Sequence, residues 1–306
     1  MNLHNFVELC MCPAPLGNEY AAKQLIRSML PNGLEISEDV AGSAIVRKPG
    51  VKPGLTFFAS LSQPVVLVTG KKADGAWELQ PLGTGKTLEP MNGWKVMDSG
   101  GAQAKLEVKD GELRLTEEKG VQIGSLLTRQ PDWTQDALSV SCAGIEDRVG
   151  CWLLTELLRE MPDVKAEITC IFLAQEQHCT KVAELAMNET DAAVAIRLAS
   201  AKVNDINLTG APVNAGGGPV LKLRERYVST DGRLMDLERM ACREAGVPFQ
   251  YEVLELDVTG LCTAQYGHCG VVVGGIDVPA EEGRMLLTDL RNTRALVMQL
   301  AANADQ

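Results

Sequence analysis

The sequence predicts an α/β fold: a sheet doubly covered by helices, carrying a small inserted β-barrel domain. Three observations carry that reading. From Ala137 onward, strand-like and helix-like segments alternate, the pattern of a sheet with helices on its faces. Several of those strands, Ile168-Thr169-Cys170-Ile171-Phe172-Leu173 above all, are apolar on both faces, as buried central strands are. Between residues 63 and 136 there are only short strand candidates and frequent turns, the texture of a small barrel.

The elements follow in order. Asn18 is a suitable N-cap for a helix in which Ala22, Leu25, Ile26, Met29 and Leu30 repeat at helical spacing, and Pro31-Asn32-Gly33 stops it. Strands are expected at Ser43–Arg47 and Leu55–Leu61. In the insert, strands are expected at Val65–Thr69, Ala76–Gln80, Trp94–Met97, Ala104–Val108 and Glu112–Thr116, with Asp74-Gly75 and Asp110-Gly111 as hairpin turns. Beyond it, strands are expected at Ala137–Cys142, Ala166–Ala174, Ala192–Leu198, Pro219–Leu223, Phe249–Leu256 and Val271–Ile276. Helices are expected at Arg148–Glu160, Thr180–Met187, Arg233–Ala245 and Arg284–Ala302. Residues 1–62 and 137–306 then make up the α/β domain, and 63–136 the barrel inserted into it.

Composition bounds the function. With 306 residues, 45% of them hydrophobic, the chain can bury a substantial core. Forty acidic against 29 basic residues leave a net charge of −11, which repels phosphate backbones and argues against nucleic acid as a partner. No basic-then-apolar leader opens the chain, and no apolar run reaches the roughly 20 residues of a membrane span, so a cytoplasmic protein without membrane contact is expected. The nine cysteines are odd in number, contain no CxxC pair, and several lie in apolar segments; they read as reduced buried thiols.

Two motifs carry little. Gly83-Thr84-Gly85-Lys86-Thr87 suggests a phosphate loop, but Gln80 stands where that motif needs its first glycine, and the segment lies among short strands. A surface turn is the better reading. The histidines are His4, His178 and His268. His178-Cys179 and His268-Cys269 are sequence neighbours, which point apart on a strand and make poor nucleophile–base pairs on their own. A catalytic or thiol-rich metal site assembled across both pairs is the alternative to ordinary side chains.

Ile145-Glu146-Asp147-Arg148-Val149-Gly150 opens a helix after a strand. Acids are favoured there by the helix dipole, yet this is also the edge at which α/β sheets place ligands. Ala174-Gln175-Glu176-Gln177 ends the next strand at the same edge, and the two segments together point to a site.

These segments also carry a resemblance. Pro15-Leu16-Gly17-Asn18-Glu19, Glu146-Asp147-Arg148-Val149-Gly150, Gln175-Glu176, Gly217-Gly218-Pro219-Val220 and Val247-Pro248-Phe249-Gln250 follow in the order seen in one family. Over most of its length the chain resembles the metallo-aminopeptidases that include glutamyl aminopeptidase, deblocking aminopeptidase and the TET peptidases. The resemblance implies a zinc-aminopeptidase-like α/β sheet with an inserted β-barrel, homo-oligomers, and two zinc or cobalt ions bridged by an aspartate. In that family two histidines, a glutamate and a second aspartate complete the ligand set, and a separate glutamate acts as general base.

Carried over by motif, most of that set is missing. Ala59-Ser60-Leu61-Ser62-Gln63 stands where the family has Ala-His-Met-Asp-Glu. Ser60 then takes the place of a ligand histidine, Ser62 of its orienting aspartate and Gln63 of the glutamate. The bridging aspartate falls on Glu146, with Asp147 and Arg148 kept. The general base falls on Glu176 and is kept, while the ligand glutamate after it is Gln177. The second ligand aspartate falls on Arg197, and the segment of the last histidine, Val278 to Gly283, contains none. A guanidinium cannot be deprotonated and repels a cation, so no metal centre and no cofactor are expected. Arg197 is expected to replace the lost positive charge by pairing with Glu146, Asp147 and Glu176.

The reading that follows is a catalytically inactive family homologue acting by binding a peptide or small molecule, or by assembly. The alternative is a metal-dependent aminopeptidase or other hydrolase with a rearranged site and Glu176 as general base. A third reading, that one or two motifs are matched out of register and an ordinary site survives, suffers from the scarcity of histidines.

Overall fold

The computed structural model describes residues 1–83, 88–204, 211–254, 259–267 and 270–305. Helices α1 (His4–Met11) and α2 (Tyr20–Met29) precede strands β1 (Glu35–Glu38), β2 (Ala44–Lys48) and β3 (Val51–Ser60). Six strands follow: β4 (Val65–Lys71), β5 (Trp77–Leu82), β6 (Lys95–Met97), β7 (Gln103–Lys109), β8 (Glu112–Lys119) and β9 (Leu126–Arg129). After β10 (Thr134–Gln135) and β11 (Ser139–Ser141), a 3-10 turn at Ile145–Asp147 leads into α3 (Val149–Arg159), β12 (Ala166–Leu173), α4 (Val182–Asn188) and β13 (Ala192–Lys202). Then come β14 (Val220–Glu225), β15 (Val228–Ser229), α5 (Gly232–Ala245), β16 (Gln250–Leu254), α6 (Gly260–Ala264), β17 (Val272–Ala280), β18 (Arg284–Leu286) and α7 (Leu287–Ala302).

The main sheet has nine strands in the order β1-β2-β12-β3-β13-β17-β14-β15, with β16 paired to β14. Its centre, β12-β3-β13-β17, is parallel. Side chains alternate between two cores, as the two-residue strand period requires. Phe57, Cys170, Phe172 and Ile196 face the core under α1, α3 and α7. Their neighbours Phe58, Ile171, Leu173 and Ala195 face a second core with Ala183 and Met187 of α4 and Leu261 of α6. Helices therefore cover both faces, as the apolar strands predict.

The second sheet runs β5-β4-β9-β6-β7-β8 around Val66, Val68, Val96, Leu106 and Leu127. Its two end strands approach one another: Trp77 of β5 donates its indole N–H to Glu118 of β8. The result is a nearly closed barrel. Asp110 and Gly111 both have positive φ, 54° and 75°, as the two-residue turn between β7 and β8 demands.

Three expectations need correction. Asn18 does not cap α2; Glu19 stands at its N-cap and makes no side-chain cap. Its carboxylate is taken instead by the N–H groups of Gly17 and Gln175 and the hydroxyl of Ser62. The helix expected from Arg284 begins at Leu287, because Arg284 to Leu286 pair with β11. Helix α1 was not foreseen; it has no capping side chain and holds by burying Phe6, Leu9 and Cys10, with Phe6 stacked on Trp152 at 5.0 Å. The Thr84–Thr87 part of the glycine-rich segment, the His268-Cys269 pair and the Glu255-Leu256 end of one expected strand lie outside the described residues. Among those described, no helix is long and apolar enough to cross a membrane.

One glycine sets how closely α3 sits on the sheet. A Cβ on Gly150 would lie 2.3 Å from the Leu198 carbonyl oxygen and 2.8 Å from Ala59 Cβ. Backbone cannot yield cheaply, so Gly150→Ala is expected to cost about 1–3 kcal/mol of stability. Urea unfolding checks this, and an unchanged midpoint would refute the contact.

Candidate active site

A cavity of about 600 Å³ opens where the central strands end, between the main sheet and the barrel. Ser60, Gln63, Glu146, Asp147, Gln177 and Arg197 all line it. The other two residues singled out by motif, Ser62 and Glu176, are buried close by without lining it. Ser60 ends β3, and Arg197 lies within β13, in register with Phe58 and Gly275 on either side. Glu146 and Asp147 occupy the 3-10 turn after Gly144, whose φ of 74° swings the chain into α3. Gln175 is a non-glycine residue at φ 58°, a strained conformation held from outside. Its N–H donates to Ser62 Oγ at 2.6 Å and Glu19 Oε1 at 3.1 Å, and its side-chain amide donates to the Ala41 carbonyl. That turn places Glu176 next to Arg197.

The charges divide into two groups. Glu176 Oε1 accepts from the Gly260 N–H at 2.7 Å and from Arg197 Nη2 at 3.5 Å. Burial works to lower the Arg197 pKa, but the carboxylates of Glu176, Asp277 and Glu225 outweigh it and raise it. Beside it, Lys222 Nζ lies 2.9 Å from Glu252, 2.9 Å from Asp277 and 3.6 Å from Glu225. Burial opposes the Lys222 charge too, and the same three acids raise its pKa. On the other strand edge, burial raises the Glu146 carboxyl, and the Gly283 N–H that donates to it partly offsets this. Burial, then the neighbouring Glu146, pushes Asp147 up to about 7. Asp147 accepts from Gln177 Nε2 at 3.4 Å.

Arg197 therefore meets only one of its three expected partners. It pairs with Glu176, while Glu146 turns to Gly283 and Asp147 to Gln177. Besides Glu176, the carboxylates of Asp277 and Glu225 act on the guanidinium and favour its charge.

A family model described as M42 glutamyl aminopeptidase matches residues 107–288. The chain belongs to the M42 glutamyl aminopeptidase family. An aminopeptidase-like protein of Acetivibrio thermocellus is 23% identical over 288 residues, covering 86% of each chain. The fold is that of a TET aminopeptidase from a marine sediment thaumarchaeon, with TM-score 0.89, 16% identity, and coverage of 99% of this chain and 97% of that one. It is also that of the TET1 peptidase of Pyrococcus horikoshii, which assembles into a tetrahedron or a large octahedral shell, with TM-score 0.84, 17% identity and 98% of both chains covered.

In this M42 homologue, six of the eight positions that the motifs single out line one cavity, and Ser62 and Glu176 are buried beside it. Sequence reasoning passed over Lys222, Glu225, Glu252 and Asp277. Their signal was present: a lysine within Leu221-Lys222-Leu223 and an aspartate within Ile276-Asp277-Val278 are charges inside apolar strands, which fold only if paired. Arg129, which lies over the Trp94 ring at 4.4 Å and brings barrel residues to the cavity, had no such signal. His178 and Cys179 are exposed and stand outside the cavity lining. Among the described residues, no three His, Cys, Asp or Glu side chains are grouped so as to hold a metal ion.

Proposed function

We propose that this M42 homologue no longer works as a two-metal aminopeptidase and acts by binding a small ligand or peptide in the remnant cavity, or by assembly with further copies of itself. The observation that carries the reading is the Arg197 guanidinium, within ion-pair distance of Glu176 at the motif position of a ligand carboxylate. The donor set does not suit a pair of divalent cations. Ser60 and Gln177 offer a hydroxyl and a neutral amide, both weak ligands for zinc or cobalt, and Arg197 offers only donors. A unit cation and a divalent ion about 4 Å apart repel by roughly 8 kcal/mol at an effective dielectric of about 20. Glu176, the residue at the general-base position, has its Oε1 engaged by the Gly260 N–H and the guanidinium. A base so tied is poorly placed to take a proton from water.

The same reading takes residues 63–136 as an inserted domain and 1–62 with 137–306 as the α/β domain, supported by β4 to β9, which form a six-stranded sheet of their own. Self-assembly is supported by relatives that form closed shells.

Metal analysis of protein purified without chelator tests the reading. No stoichiometric zinc, cobalt or manganese is expected, and aminoacyl and short peptide substrates should not turn over when those ions are added. Two bound equivalents, or turnover abolished by Glu176→Gln, would favour instead a hydrolase using Glu176 as base.

A further inference from the structure

Two free thiols meet between α1 and the loop after β11. Cys10, in the last turn of α1, is 2% exposed, and Cys142, directly after β11, is 1% exposed. The Cys10 S–H donates to the Cys142 sulfur, which also accepts from the Asp132 backbone N–H. The main chain holds Cys142 in place. Its N–H donates to the Gly283 carbonyl at 2.9 Å, and its carbonyl accepts from the Ile145 N–H at 3.1 Å. The turn that follows carries Glu146 and Asp147 to the cavity, and the Gly283 N–H donates to Glu146. We propose that Cys10 and Cys142 form a peroxide-sensitive dithiol, whose oxidation to a disulfide locks α1 to the turn that bears Glu146 and Asp147.

The hydrogen bonds assign the two thiols different parts. A sulfur that accepts from two donors is favoured as thiolate, and the thiolate is the nucleophile. The bond from Cys10 lowers the Cys142 pKa, against burial, which raises it. Burial raises the Cys10 pKa, and the bond to Cys142 adds to this. Cys142 is therefore the attacking thiol and Cys10 the resolving one. Hydrogen peroxide is the oxidant. The Cys142 thiolate attacks one peroxide oxygen; an S–O bond forms, the O–O bond breaks, and the departing hydroxide takes up a proton as water. The Cys10 sulfur then attacks the Cys142 sulfenic acid. An S–S bond forms, the S–O bond breaks, and the hydroxide leaves with the Cys10 proton as a second water. Two thiols are oxidised, one peroxide is reduced, and no further reactant is needed.

Peptide mass mapping of the full chain after treatment with hydrogen peroxide tests this, with remaining thiols blocked by N-ethylmaleimide. A peptide pair joined through Cys10 and Cys142 is expected, and dithiothreitol should release it. Cys179, which is exposed, is the internal reference for peroxide reaching the protein. Cys12→Ser should keep the link, which separates Cys10 from its neighbour. Cys10→Ser should lose the link and leave Cys142 as a sulfenic acid trapped by dimedone. If that variant fails to fold, mapping of the unaltered chain still decides. The linked chain should also unfold at a higher urea concentration than the same chain after dithiothreitol, because the link closes a loop of roughly 130 residues. Oxidation of Cys179 with Cys10 and Cys142 left as thiols, a link from Cys142 to any other cysteine, or a linked chain whose urea midpoint does not rise overturns the proposal.

Discussion

Lys222→Met is expected to lower the unfolding free energy by about 3–5 kcal/mol, the largest effect of any single substitution considered. Lys222 is 4% exposed and stands between Glu252 and Asp277, each 2.9 Å away, with Glu225 at 3.6 Å. Those acids are 2%, 0% and 0% exposed. Removing the ammonium takes its charge from all three carboxylates in low dielectric, while Arg197 still acts on Asp277 and Glu225. The loss comes from the stranded acids more than from the missing pair, because a buried ion pair roughly balances its own desolvation. A variant that also carries Glu252→Gln and Asp277→Asn should therefore regain much of the lost stability. Urea unfolding of both variants in chelator at neutral pH gives the measurement. A single substitution costing less than about 1 kcal/mol would mean that the cluster is not held by this charge.

Glu238→Met should act in the opposite direction, stabilising the chain and flattening its pH dependence. Glu238 lies on α5, is 0% exposed, and neither carboxylate oxygen has a hydrogen-bond partner among the described residues. Across from it is Gly274 of β17, which has no side chain to offer; Leu234 and Cys242 are its neighbours on the helix. Burial raises its pKa from 4.5 to about 8, with Arg239 pulling weakly the other way. The folded chain thus keeps a proton that the unfolded chain releases above about 4.5. Stability contributed here is present at low pH, falls as pH rises from about 4.5, and is fully lost above about 8. At pH 8 the loss is on the order of 4 kcal/mol. Methionine fills a similar volume without a charge and should recover most of it. Thermal and urea unfolding of both proteins between pH 5 and 9 would test this; parallel curves would show that Glu238 finds a partner or ionises without penalty.

Much of the fold was legible in the sequence. The apolar run from Ile168 to Leu173 and the alternation after Ala137 sufficed for the covered sheet, because a strand period of two and a helix period of 3.6 are written directly into residue order. Asp110-Gly111 marked a hairpin because two successive positive φ angles favour such residues. Element ends were less legible. Glu19 was drawn from capping by a hydroxyl and a backbone N–H that reach it from distant parts of the chain, and β18 formed because β11 lay beside it.

The sequence by itself determined which chemical groups stand at the cavity: hydroxyl, amide and guanidinium side chains at Ser60, Gln63, Gln177 and Arg197, beside the carboxyl groups of Glu146 and Asp147. Donor and acceptor character belongs to the residue and does not wait for folding. Only the tertiary structure decided which charges meet. Arg197 turned from Glu146 and Asp147 toward Glu176, with Asp277 and Glu225 behind it, and Lys222 drew acids from β14, β16 and β17. Coulombic energy depends on distance and burial, and both are set by strand register, which brings together residues that are far apart in the chain.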